Sequence, residues 1–301
     1  MSKLTPKNGD ADLLDPSGLK LPRRPYDAHK GNFGRALLLC GAQRYPGAAR
    51  LAALGCLTAG AGLVTLGVPE STYPALSATC PPEIMLAALP QDEKGQLAPS
   101  SYLDHLVATA DACLFGPGWG RSAQLDALAR HLWNTFEGPL IADADGLNSL
   151  AGHILVETGR PRLLTPHAGE FARLFAHLPA PGSAETARCA ARESHALVVY
   201  KGHGTLTASP DGQVYANPSG NPGMATGGTG DLLAGLLCGL WVQKAASPRL
   251  FASLDWLALT ALGVYLHGKA GDRAAETMGE YALTPSAMAA VLPVVIKEST
   301  L

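Results

Sequence analysis

The chain has 301 residues, 47% hydrophobic and 16% charged, with a formal net charge of -2. That length can bury a large core, and the near-neutral charge excludes electrostatic recruitment to nucleic acid or to an anionic membrane. The longest apolar runs (232–242 and 256–266) are too short to cross a bilayer, residues 1–15 lack a signal-peptide core, and the six cysteines form no C-x-x-C pair, which points to reduced thiols in the cytoplasm and away from a zinc site.

Residues 1–25, rich in Pro, Lys and Asp, read as a tail or partner-binding arm ahead of a single domain over 26–301. Residues 36–40 form a buried apolar run, followed by a glycine turn and a small-residue helical stretch over 47–59. Short apolar runs at 63–68, 84–89, 112–115, 140–142, 163–164 and 197–200 also predict strands, with helical patterns between several of them, notably 123–133 and 170–175. Strand–helix alternation of this kind predicts an α/β fold with a mostly parallel sheet covered on both faces. Residues 205–208 and 214–216, joined by Pro210-Asp211-Gly212, read as a β-hairpin. Everything from 232 onward reads as helical, and no repeat or low-complexity linker divides the chain.

In such sheets ligands bind beyond the carboxyl ends of the strands, and polar or glycine-rich clusters follow the apolar runs at those places. Gly41 follows the first run and Gly116-Pro117-Gly118-Trp119-Gly120 the fourth. Asp143-Ala144-Asp145-Gly146 follows the fifth, Thr165-Pro166-His167 the sixth, and Lys201-Gly202-His203-Gly204-Thr205 the seventh. Asp143 and Asp145 suit a polar ligand or Mg²⁺ through water, and Asp145 equally suits a helix cap. His167 and Glu170 suit proton transfer or a loop histidine with a first-turn acid. Lys201 would stabilise phosphate charge if it faces the site. His29-Lys30-Gly31 is open between a turn and a substrate contact. The spacing Gly116-x-Gly118-x-Gly120 does not match a dinucleotide fingerprint, and neither a Walker A loop nor a G-x-S-x-G or H-E-x-x-H motif is present.

Residues 217–231 are the most informative segment. Gly220, Gly223, Gly227, Gly228 and Gly230 crowd a loop that runs into an apolar helix, and Asp231 closes it. A glycine-rich loop opening a helix presents unpaired N–H groups and the positive end of the dipole to an anion. An acid beside that cradle suits phosphoryl transfer from a hydroxyl. The dipole is expected to hold Asp231 ionised, so its value as a base would lie in position rather than basicity.

Taken together and in order, these motifs resemble the ADP/ATP-dependent NAD(P)H-hydrate dehydratases of the ribokinase-like superfamily. The resemblance runs from about Tyr26 to Leu292. It implies a ribokinase-like fold and a carbon–oxygen lyase of metabolite repair. The S-epimer of hydrated NADH or NADPH would be phosphorylated on its hydroxyl by ADP or ATP and then lose phosphate. By the same resemblance, Ala49, Gly116, Gly118, His167 and Asp231 contact the hydrate, with Asp231 catalytic. Lys201, Gly202, His203, Gly204, Thr205, Gly227, Gly228, Thr229 and Gly230 contact the nucleotide. Mg²⁺ bridges the phosphates without a dedicated protein metal site, and the enzyme is a cytoplasmic homotetramer. Ala168 stands where the family has Pro and Gly146 where it has Ala, both read as mild changes. The epimerase often fused in front is not recognisable, so epimerisation would fall to a separate protein. The alternative is a thiazole or hydroxymethylpyrimidine kinase of the same superfamily. A non-catalytic nucleotide sensor is disfavoured by Asp231.

Overall fold

The computed structural model describes residues 12–179 and 182–301. In chain order the elements are β1 (Arg35–Leu39), α1 (Pro46–Thr58), β2 (Leu63–Pro69), α2 (Tyr73–Ser77), β3 (Ile84–Leu89), α3 (Ser101–Thr109), β4 (Ala112–Phe115), α4 (Ala123–Thr135), β5 (Leu140–Ala142), α5 (Asp145–Leu150), β6 (Arg162–Leu164), α6 (Ala168–Leu174), α7 (Ala184–Ser194), β7 (Leu197–Tyr200), β8 (Leu206–Ala208), β9 (Val214–Ala216), α8 (Thr229–Ala246), α9 (Trp256–Met278) and α10 (Pro285–Glu298). The strands form one sheet in the order β3-β2-β1-β4-β5-β6-β7-β8-β9. The first seven pair in parallel, and β8 and β9 add an antiparallel hairpin.

Both faces of the sheet are covered. In β1, Ala36 and Leu38 point into one core and Leu37 and Leu39 into the other, all buried. The first core takes α1, α8, α9 and α10, and the second takes α3 to α7. Burial on two sides is why these strands are unbroken apolar runs instead of alternating ones. Helices α3 and α7 start at serine caps: Leu103 N–H donates to Ser100 Oγ at 3.1 Å, and Thr186 N–H donates to Ser183 Oγ at 3.1 Å.

The strand order turns back between β1 and β4, which opens a crevice beyond their carboxyl ends. Helices α1 and α8 bring their N-termini to it as a pair. They run parallel with backbone against backbone: a methyl on Gly235 would lie 1.9 Å from the Ala52 carbonyl oxygen, one on Gly239 2.4 Å from that of Cys56, and one on Gly55 2.4 Å from that of Leu232. Only glycine admits that approach.

The described part of the N-terminal segment lies against the body. Leu14 N–H donates to the Val214 carbonyl, and Ala216 N–H donates to that of Leu14, so the segment runs beside β9. Leu21 pairs with Ser299 and Leu301. The Arg24 guanidinium sits 3.6 Å over the Phe33 ring and donates to Gln243 at 2.7 Å. Residues 12–25 therefore form a strap along β9 and the C-terminal residues. The rest of that segment, residues 1–11, lies outside the described residues.

Candidate active site

Five strand ends and two helix N-termini build the site. Among the helices longer than ten residues, α1 and α8 are the two whose N-caps, Tyr45 and Gly228, make no side-chain hydrogen bond. Both therefore offer first-turn N–H groups and positive dipole ends to a ligand. Gly228 adopts φ +94°, which turns the loop into α8. At Gly47, Gly202, Gly204 and Gly227 no atom lies within 4 Å of where a side chain would start, so the backbone is accessible at all four. The Thr229 hydroxyl oxygen is buried without a partner, as a group awaiting a ligand would be.

Asp231 lies in the first turn of α8, and its carboxyl is pushed up to about 7. Burial is the main cause and Asp143 the second, with Asp145 and Glu170 adding to it and Lys201 opposing. Desolvation and three other acids outweigh Lys201, so Asp231 is both well placed and basic enough to take a proton near neutrality.

Lys201 does face the site. Its ammonium is 2.7 Å from Asp143 Oδ1 and 3.8 Å from Glu170 Oε2, and a methyl on Gly230 would come within 3.3 Å of it. Asp143 is 1% exposed and also accepts from the Thr165 hydroxyl at 2.6 Å. Burial alone would lower Lys201, but Asp143, Glu170 and Asp231 more than offset it and hold the ammonium above its usual range. A cation thus stands at the start of α8, pinned by acids from two neighbouring strand ends.

His167 caps α6. Its Nδ1 accepts from the Gly169 N–H at 3.0 Å, and its Nε2 lies 3.2 Å from Glu170 Oε1, which fixes the proton on Nε2. Glu170 returns the contact by accepting from the His167 N–H at 2.9 Å. The imidazole is half exposed, but both nitrogens are engaged. Thr205 closes its own loop, donating to the Gly202 carbonyl at 2.8 Å, while His203 stays exposed.

Other expected contacts are placed differently. Ala49 is 0% exposed, packed under Gly41, and the accessible residues beside it are Gly47 and Ala48. Gly116 serves packing: a methyl there would meet the Asp143 carbonyl at 2.0 Å. Gly118, at φ +61°, lets the turn pass Tyr45 and Ala48. Gly146 is a requirement and not a mild change, because a methyl would lie 2.8 Å from the Phe115 carbonyl and 2.9 Å from its ring. Asp145 is not the cap of α5. Ala144 is, at φ 49° and ψ -119°, a strained conformation for a residue with a side chain. His29-Lys30-Gly31 lies before β1, with His29 capping its own short turn. Cavities of about 480 and 500 Å³, lined by Arg24, Gly60 and Gln243 and by His29, Phe33 and Ala246, lie at the far end of α8 and touch none of the crevice residues.

Two supporting residues carried no sequence signal. His267, buried in α9, donates to the Thr229 carbonyl at 3.0 Å and is pushed down to about 4, mainly by burial, so it stays neutral. Asp272 accepts from the Gly220 N–H at 3.0 Å and from Asn221 at 3.1 Å, anchoring the glycine-rich loop to α9.

The model of the NAD(P)H-hydrate dehydratase family matches residues 36–293. A bifunctional NAD(P)H-hydrate repair enzyme from Moorella thermoacetica is 42% identical over 92% of this chain, which spans about half (52%) of that relative's length. An ADP-dependent (S)-NAD(P)H-hydrate dehydratase from Xanthomonas campestris is 34% identical, with 83% of each chain covered. Among solved structures, the ADP/ATP-dependent NAD(P)H-hydrate dehydratase from Bacillus subtilis co-crystallised with ATP/Mg²⁺ aligns with a TM-score of 0.76 at 31% identity, covering 93% of this chain and 94% of that one. The α/β architecture is ribokinase-like.

Proposed function

The chain belongs to the NAD(P)H-hydrate dehydratase family, and we propose that it repairs hydrated NADH and NADPH at the expense of an adenine nucleotide. The S hydrate is the substrate, its ring hydroxyl is phosphorylated, and loss of phosphate restores the double bond. The reading is carried by Asp231: a carboxyl titrating near 7 in the first turn of an uncapped helix, beside Lys201. Asp231 accepts the hydroxyl proton as the phosphoryl group arrives, and it is poised to do so at neutral pH. The N–H groups of Gly227, Gly228, Thr229 and Gly230 and the Lys201 ammonium hold the charge on that group. The accessible backbone of Gly202, His203 and Gly204 forms the floor for the rest of the nucleotide. Gly47, Ala48, Gly118 and the His167 edge face the hydrate.

Among the described residues no cluster of three or more His, Cys, Asp or Glu could hold a metal ion. Mg²⁺ would enter on the nucleotide phosphates, its ordinary mode, and would supply charge neutralisation. No helix among the described residues is long and apolar enough to cross a membrane, and we place the enzyme in the cytoplasm as a homotetramer supplied with S hydrate by an epimerase.

The test mixes purified protein, Mg²⁺ with ADP or ATP, and hydrated NADH, and follows the return of reduced-nicotinamide absorbance. Recovery with at least one nucleotide is expected. No recovery with either rejects the reading, and phosphorylation of a thiazole or hydroxymethylpyrimidine alcohol instead would put the chain among the small-molecule kinases.

A further inference from the structure

Restoring the ring double bond takes two protons from the substrate, one from the hydroxyl during phosphoryl transfer and one from carbon during elimination. This inference rests on the dehydratase reading, in which Asp231 accounts for the first proton only. The site must accept the second as well.

Four carboxylates converge on the crevice, and two are already engaged. Asp143 is held by Lys201 at 2.7 Å and Thr165 at 2.6 Å. Glu170 is held by the His167 N–H at 2.9 Å, His167 Nε2 at 3.2 Å and Lys201 at 3.8 Å. His167 has no free lone pair, because its Nδ1 caps α6 and its Nε2 carries the proton toward Glu170. Asp145 differs from all three. None of the ion pairs among the described residues includes it. Its Oδ2 accepts from the Gly120 N–H at 3.0 Å, which fixes it against the turn that follows β4. Asn148, three residues on, has its side-chain oxygen taken by Arg173 at 2.8 Å. Asp145 is the first residue of α5 and not its N-cap, the position of Ala144, whose strained backbone separates Asp143, turned inward to Lys201, from Asp145.

We propose that Asp145 is the proton acceptor of the elimination step. The C–H electron pair beside the phosphorylated carbon becomes the new ring π bond, the C–O pair leaves with phosphate, and the proton passes to an Asp145 oxygen and then to water. Two protons leave the substrate, and the two carboxylates without an ion-pair partner receive one each. Burial, partly offset by Gly120, Asn148 and Arg121, raises Asp145 above the usual carboxylate range, which suits an acceptor.

Asp145→Asn tests this with Mg²⁺, the preferred nucleotide and hydrated NADH, following nucleotide cleavage by rapid quench and reduced-nicotinamide absorbance in parallel. First-turnover cleavage should stay within a few-fold of the parent. Absorbance recovery should slow on the order of 100-fold, with phosphorylated hydrate accumulating and Asp145→Glu restoring part of the rate. Equal loss of both signals, or recovery at the parent rate, overturns the assignment. If the asparagine variant does not fold, Asp145→Ser carries the same expectation. A parent enzyme that restores no absorbance would instead reject the dehydratase reading itself.

Discussion

Asp231→Asn should make this protein more stable, and by an amount that depends on pH. In the folded state the carboxyl keeps its proton up to about pH 7, whereas unfolded it releases it near its ordinary 3.8. Between those values the folded state binds more protons, so its stability falls as pH rises. At 1.36 kcal/mol per pH unit the rise corresponds to at most about 4 kcal/mol above pH 7.5, and to well under about 1 kcal/mol at pH 4. Solvent relaxation around a partly accessible group reduces the upper figure, to roughly 1–3 kcal/mol. Asparagine removes the charge and keeps the shape. Urea unfolding of parent and variant at pH 4, 6 and 8 measures the gap. It should be small at pH 4, open through pH 6 and level off above pH 7.5. A gap that is absent at pH 8, or equal at all three values, would show that desolvation and the neighbouring acids do not raise Asp231, and the argument for a near-neutral base would fail with it.

The same carboxyl gives a catalytic expectation: Asp231→Ala should abolish turnover while calorimetry still detects nucleotide binding, and lost binding would make Asp231 structural. His267 has the opposite pH signature. Held down at about 4 against an ordinary 6.5, it contributes stability that is complete above pH 6.5 and lost as pH falls toward 4. Because Asp231 masks that slope, acid lability should emerge in Asp231→Asn and vanish when His267→Gln is added, as melting curves at pH 5 and 7 would register. Lys201→Met should destabilise by about 3–5 kcal/mol, since it strands Asp143 as an unpaired buried charge, and should weaken nucleotide affinity in the same calorimeter. Gly235→Ala should cost at least about 3 kcal/mol of unfolding free energy, the upper end for overpacking, because its methyl has 1.9 Å in which to fit.

The fold was largely legible because its parallel strands are buried on both faces. Runs such as those at 36–40 and 112–115 are apolar without alternation, and polar or glycine residues mark where each one ends. Helix α8 was legible for a similar reason, being buried almost throughout. The strap over 12–25 was not, since its composition is polar and its contacts, such as Arg24 with Gln243, span more than two hundred residues. The site divides in the same way. The convergence of the strand-end clusters could be read, but the state of each group could not. The proton affinity of Asp231 is set by burial and by Asp143, Lys201, Asp145 and Glu170, brought to it from three separate stretches of chain. Whether Ala49 or Gly47 meets a ligand depends on the rotation of α1 against Gly41, which a small-residue run does not encode. Gly146 likewise shows its purpose only once Phe115 lies above it.

The glycine seam between α1 and α8 has a consequence for motion. With Gly55, Gly235 and Gly239 allowing backbone to touch backbone, the two helices are locked at those three points, where no side chain lies between them to rearrange and let them slide. The two open N-termini should therefore hold their spacing whether or not a ligand is present, and any closure over the nucleotide must come from the surrounding loops. Amide hydrogens along the seam should be among the slowest in the protein to exchange with deuterium, and binding should leave their rates nearly unchanged while slowing those of the loop over residues 220–228.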